Sequence, residues 1–165
     1  MAHTQNPEEA HPPQNADGYN KRGMDSARLG NYHDAIDDYS KAIELDPTLA
    51  DAFYNRGIAN ARLANHQDAI DDYTKAIELN PKDADAYNNR GNVKAKMSNY
   101  HAAIVDYDKV IEISPKNTAA YYNLGLAKLQ TGDKEGARAD FLKARQLDPN
   151  MKFSDEIEKF LKETE

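Results

Sequence analysis

The chain has 165 residues, a formal net charge of −7 and no cysteine, so neither a disulfide framework nor a thiolate zinc site is available. The acidic balance argues against non-specific binding of nucleic acid, where a basic footprint carries most of the affinity. No apolar run approaches the ~18–20 residues that span a bilayer, so no membrane span is expected and a cytoplasmic location is the default reading.

Residues 1–15 hold three prolines, few apolar residues and no periodicity, and read as a disordered N-terminal tail. His3 and His11 in such a segment are ordinary polar residues rather than a metal pair. From residue 16 the chain copies itself: prolines stand at 47, 81, 115 and 149, each 34 residues from the next. Glycines recur at Gly23, Gly57, Gly91 and Gly125, alanines at Ala35, Ala69, Ala103 and Ala137, and aromatics at Tyr39, Tyr73, Tyr107 and Phe141. A further aromatic column runs Tyr19, Phe53, Tyr87, Tyr121. Four aligned columns at one spacing are an internal repeat, with units 16–49, 50–83, 84–117 and 118–149.

Each unit reads as two helices. In the second, Ala52-Phe53, Arg56-Gly57, Asn60-Ala61 and Leu63 mark one helical face, and Ala69-Ile70, Tyr73, Ala76-Ile77 and Leu79 mark another. A short turn separates them, and Pro81 follows where a helix must stop. The glycine and alanine columns suggest two antiparallel helices in close approach, a glycine on one meeting a methyl group on the other. After Pro149 a ninth helix is expected over 150–165, with Phe153, Ile157, Phe160 and Leu161 in one apolar stripe. It would cap the flank that a stacked array leaves open at its end.

The set Phe53, Gly57, Ala69, Tyr73, Ala76 and Pro81, matched in the other units, resembles the tetratricopeptide repeat family. The resemblance implies an all-α, right-handed α-solenoid of four antiparallel helix hairpins whose first helices line a concave groove. The sequence departs from the family's pattern where Arg22, Arg56 and Arg90 replace a leucine that returns only as Leu124, and where Val110 replaces the late alanine. Asp38, Asp72 and Asp106 recur at the same spacing and are the expected partners of those arginines.

On that fold, fixed offsets in the first helices make columns along the groove. One reads Lys21, Asn55, Asn89, Asn123, and its neighbour Asn20, Tyr54, Asn88, Tyr122. A third reads Met24, Ile58, Asn92, Leu126, and a fourth Arg28, Arg62, Lys96, Gln130. An asparagine amide carries donors and an acceptor, so a ladder of them can pair with successive peptide bonds of a bound chain. Tyr54, Tyr122, Ile58 and Leu126 would add apolar pockets, and Arg28, Arg62 and Lys96 would meet acidic residues. The function this implies is a scaffold or adaptor that binds an extended peptide or helix of another protein. Self-association and chaperone-like holding of unfolded segments are the alternatives.

Relatives that clamp the acidic carboxylate tail of heat-shock chaperones use lysines and an arginine. The corresponding positions here are Asn20, Met24, Asn55, Asp85 and Asn89, and Asp85 would repel that group. No enzyme activity and no cofactor is expected. The pairs Asp37-Asp38 and Asp71-Asp72 diverge by about 100° around a helix and copy with the array, unlike a site built once. His33, His66 and His101 lie on hairpins stacked ~10 Å apart, too far to share a zinc.

Overall fold

The structure, a computed structural model, describes residues 13–150 and 154–163. Among them are nine helices: α1 (Ala16–Arg28), α2 (Tyr32–Leu45), α3 (Ala50–Arg62), α4 (His66–Leu79), α5 (Ala84–Lys96), α6 (Tyr100–Ile113), α7 (Thr118–Thr131), α8 (Lys134–Leu147) and α9 (Ser154–Glu163). Residues 1–12 of the expected tail lie outside the described residues, as does Phe153. Asn15 is the N-cap of α1, its Oδ1 accepting the Gly18 amide at 2.8 Å.

Every hairpin turns on the same device. The last turn of the first helix closes with two backbone bonds, as in Gly30 to Ala27 and Asn31 to Ser26, both 3.0 Å. This six-to-one closure needs a residue in the left-handed region. That residue is Gly30 (φ 84°), Ala64 (60°), Ser98 (61°) or Gly132 (86°), one at the same offset in each repeat.

Helices pack within hairpins, α1 on α2 through to α7 on α8, and each second helix packs on the next first helix. Successive first helices also touch (α1–α3, α3–α5, α5–α7), whereas the successive second helices do not. That asymmetry bends the stack and leaves the first helices on its inner side. The chain is an all-α solenoid.

The columns read from the sequence fill the core. Ala35, Ala69, Ala103 and Ala137 are fully buried, and Tyr39, Tyr73, Tyr107 and Phe141 nearly so. The glycines do not face alanine methyls as the sequence suggests. A Cβ on Gly57 would lie 2.9 Å from the Tyr73 ring, one on Gly91 2.8 Å from Tyr107, and one on Gly125 2.7 Å from Phe141. The glycine makes room for an aromatic ring on the partner helix, and so tolerates its helix-propensity cost of ~1 kcal/mol.

A polar spine runs beside this core. Arg22, Arg56 and Arg90 each grip Asp38, Asp72 and Asp106 respectively through Nε and Nη2, as the spacing predicts. Each guanidinium also lies over the aromatic ring one turn earlier, 5.2 to 5.7 Å from Tyr19, Phe53 or Tyr87. Arg56 and Arg90 reach back to the preceding hairpin, donating from Nη1 to Ser40 Oγ (3.0 Å) and Thr74 Oγ1 (2.9 Å). In the fourth repeat Leu124 is buried with Ala103, Tyr107 and Ala127, and Asp140 is met by Lys128 Nζ at 2.7 Å, the counterpart of Lys94, which joins Arg90 on Asp106 at 2.8 Å.

The ninth helix closes the array. Ile157 and Leu161 are buried against Ala137, Phe141 and Ala144, and Phe160 meets Phe141 edge-on at 5.2 Å. Arg145 Nη1 adds a 3.1 Å contact to Glu158 on the rim. Burial of this kind contributes at most about 1.5–3 kcal/mol per large side chain.

Candidate binding site

Two adjoining hollows lie along the first helices. One, of about 410 Å³, is lined by Ile58, Ala61 and Arg62 from α3, Asn89, Asn92, Val93 and Lys96 from α5, and Tyr73 from α4. The other, of about 480 Å³, is lined by Asn92, Ala95 and Lys96, by Asn123, Leu126, Ala127 and Gln130 from α7, and by Tyr100 and Tyr107 from α6. Asn92 and Lys96 belong to both, so the two make one trough across repeats two to four.

The asparagine column is tied sideways from hairpin to hairpin. Asn55 donates from Nδ2 to Asn20 Oδ1 (3.1 Å), Asn89 to the Tyr54 hydroxyl (3.0 Å) and Asn123 to Asn92 Oδ1 (3.1 Å). Asn92 Oδ1 also accepts the Tyr107 hydroxyl at 2.9 Å. Burial pushes the Tyr107 pKa far up, so that hydroxyl remains a donor. Each ladder asparagine therefore commits one N–H to its neighbour and keeps an oxygen and a second N–H to offer a ligand.

The remaining columns divide. Leu126 is 41% exposed and Ile58 half-buried, so both supply apolar surface to the hollows. Tyr54 and Tyr122 lean on the core, their rings 6.0 Å from Tyr73 and 5.8 Å from Phe141. Burial raises the Tyr54 hydroxyl pKa, with Asp85 and Asp83 acting in the same direction. The Asn88 Oδ1 is buried without a hydrogen-bond partner among the described residues, and Lys21 is exposed at the first hairpin, away from the hollows. Arg28 is ion-paired with Asp25, whereas Arg62 and Lys96 have no carboxylate partner among the described residues and face the trough.

Tyr100 and Tyr107 also line the trough, outside the columns of the first helices. Tyr107 stands in an aromatic column whose pattern is that of pure core, and only the stacking of α6 behind α5 and α7 brings its hydroxyl to the trough. Tyr100 shares its offset with Tyr32, His66 and Lys134, and nothing in that mixed column marks it as a wall.

Family models described as a TPR repeat match residues 27–63, and models described as a tetratricopeptide repeat match 50–83, 84–117 and 118–151. No curated protein matches the sequence. Among solved structures, one of MamA is 36% identical with a TM-score of 0.81, over 83% of this chain and 80% of that one. MamA from residue 41 to its end, from Desulfovibrio magneticus RS-1, is 25% identical with a TM-score of 0.84, over 93% and 87%. The first TPR of Spaghetti (RPAP3), bound to the HSP90 peptide SRMEEVD, is 29% identical with a TM-score of 0.70, over 72% and 94%.

Proposed function

The chain belongs to the tetratricopeptide repeat family, a protein-interaction scaffold, and from that premise we propose that its inner trough holds a peptide segment of a partner protein. One observation carries the reading: the side chains left with free hydrogen-bonding groups, Asn89, Asn92 and Asn123, stand in a row over hollows floored by Ile58 and Leu126. Amides in a row bind main chain, and the apolar floor selects side chains. An extended peptide fits this arrangement better than a helix, whose own peptide groups are already paired.

The similar domain bound to an HSP90 peptide supports a groove that takes peptides, but the charge here is different. The positions that would clamp a carboxylate tail are Asn20, Met24, Asn55, Asp85 and Asn89, with Asp85 exposed on α5. We expect titration calorimetry with a Glu-Glu-Val-Asp peptide to give no tight binding.

The direct test is affinity capture with wild type beside Asn89→Ala/Asn123→Ala/Leu126→Ala, with Val105→Ala, 67% exposed on α6, as the outer-face control. Circular dichroism would first establish that each variant is folded. A partner lost from the triple variant alone is the expected result. A partner lost from the Val105 variant alone would place binding on the outer helices and end this reading.

A further inference from the structure

Resting on that reading, we propose that the occupant of the trough is an acidic polypeptide segment with an aliphatic residue close to its acidic one. The carboxylate would sit between Arg62 and Lys96, and the aliphatic side chain against Leu126.

The copies differ at the ends of their first helices. A cation at the end of each first helix is favoured by the helix dipole, so the placement of Arg28, Arg62 and Lys96 alone carries no information. Their partners are what differ. Arg28 is neutralised by Asp25, three residues earlier on the same helix. The residues equivalent to Asp25 are Ala59 and Val93, so Arg62 and Lys96 kept the charge and lost the carboxylate.

The second observation is charge segregation. The chain carries 28 acidic residues against 21 lysines and arginines, yet among the described residues no aspartate or glutamate lines either hollow. The outer hollow beside α4, by contrast, holds Asp68, Asp71 and Asp72. Two unpaired cations in an acid-free trough on an acidic protein complement a local negative charge on a partner. They are too few, on a surface this acidic, to hold a nucleic acid. Arg62 and Lys96 also lie one to two helical turns beyond Asn55 and Asn89, so they do not stand at the carboxylate-clamp positions. With hairpins spaced ~10 Å, Leu126 on α7 lies about one and a half spacings from a carboxylate held between α3 and α5, so at ~3.3 Å per extended residue the acidic and aliphatic residues should lie about four to five positions apart.

The probe is a displayed library of random peptides about a dozen residues long, selected on the full chain. We expect the selected pool to be enriched in Asp or Glu about four to five residues from Leu, Ile or Val. Arg62→Gln/Lys96→Gln should abolish the acidic bias and weaken individual selected peptides about tenfold, and Arg28→Gln should leave both unchanged. A pool without acidic bias that still fails on Asn89→Ala/Asn123→Ala/Leu126→Ala would overturn the charge assignment and keep the groove. No enrichment on wild type would overturn both. Displacement of a selected peptide by an equal concentration of a single-stranded oligonucleotide would overturn the polypeptide assignment.

Discussion

Lys128 holds Asp140 through one ammonium contact of 2.7 Å, where the three preceding repeats hold the equivalent aspartate with a guanidinium. Burial raises the Asp140 pKa above the ordinary carboxylate value, Lys128 offsets only part of that, and Asp108 and Asp133 add to the rise. An acid whose folded pKa is raised favours folding in its protonated form. That contribution is full below the ordinary carboxylate range and is lost as pH climbs through the raised value. Asp140→Asn should therefore stay within about 1 kcal/mol of wild type at neutral pH, and gain on wild type between acid and neutral pH. Asp72→Asn, which removes the charge facing Arg56 and one of the two oxygens that Arg56 and Asn60 share, should cost about 3 kcal/mol. Urea unfolding of both variants across that pH range decides the contrast.

Gly57→Ala tests the contact between α3 and α4. Alanine is the better helix former by ~1 kcal/mol, yet its Cβ would come 2.9 Å from the Tyr73 ring. Overpacking costs about 1–3 kcal/mol, so the net change should be a loss of stability. A melting temperature equal to or above wild type would mean that the ring moves aside freely.

Ala64 and Ser98 occupy a left-handed turn that the first and fourth repeats give to Gly30 and Gly132. Ala64→Gly and Ser98→Gly should each stabilise by roughly 0.5–1 kcal/mol, because the strain removed exceeds the entropy added. Thermal melts of the single and double variants, which lie on separate turns and should add, check this.

Asp83, Asn117 and Asn15 cap their first helices with a side-chain oxygen, but the equivalent residue of α3 is Leu49, which makes no such bond. Leu49→Asp should offer a side-chain acceptor to the Ala52 amide, which now donates to the Leu49 carbonyl at 3.1 Å, and raise stability by up to about 1 kcal/mol, read as a higher urea midpoint.

Ending the chain at Pro149 would expose Phe141 and Ala144, which Ile157 and Leu161 now cover. The expected result is a melting temperature lower by several degrees and increased binding of a hydrophobic dye. Unchanged melting would remove the capping role of α9.

Much of this was legible because repetition turns one sequence into four. The Arg56–Asp72 bond could be read in advance, since both columns recur at one spacing and so must keep one offset. The same offset links Gly57 to Tyr73, but periodicity shows which columns exist and not which ones face each other, hence the mistaken pairing of glycine with alanine. The bonds of Asn89 to Tyr54 and Asn123 to Asn92 cross between repeats. They depend on how closely first helices stack and on which rotamers that spacing allows, neither of which a spacing rule encodes. The difference between Arg28 and Arg62 was written in Asp25 and Ala59, and becomes meaningful only once both cations are seen against the trough.

Leu142 also sets how such an array can grow. A duplicate of residues 50–83 inserted beside the original would find its seams ready-made: its arginine would meet Thr74, and Arg90 would meet the duplicate's own threonine. The same duplicate added after α8 would bring its arginine to Leu142, which accepts nothing, on a face already occupied by Ile157 and Leu161. The inner units are thus interchangeable parts, whereas the open face of the fourth is taken by α9.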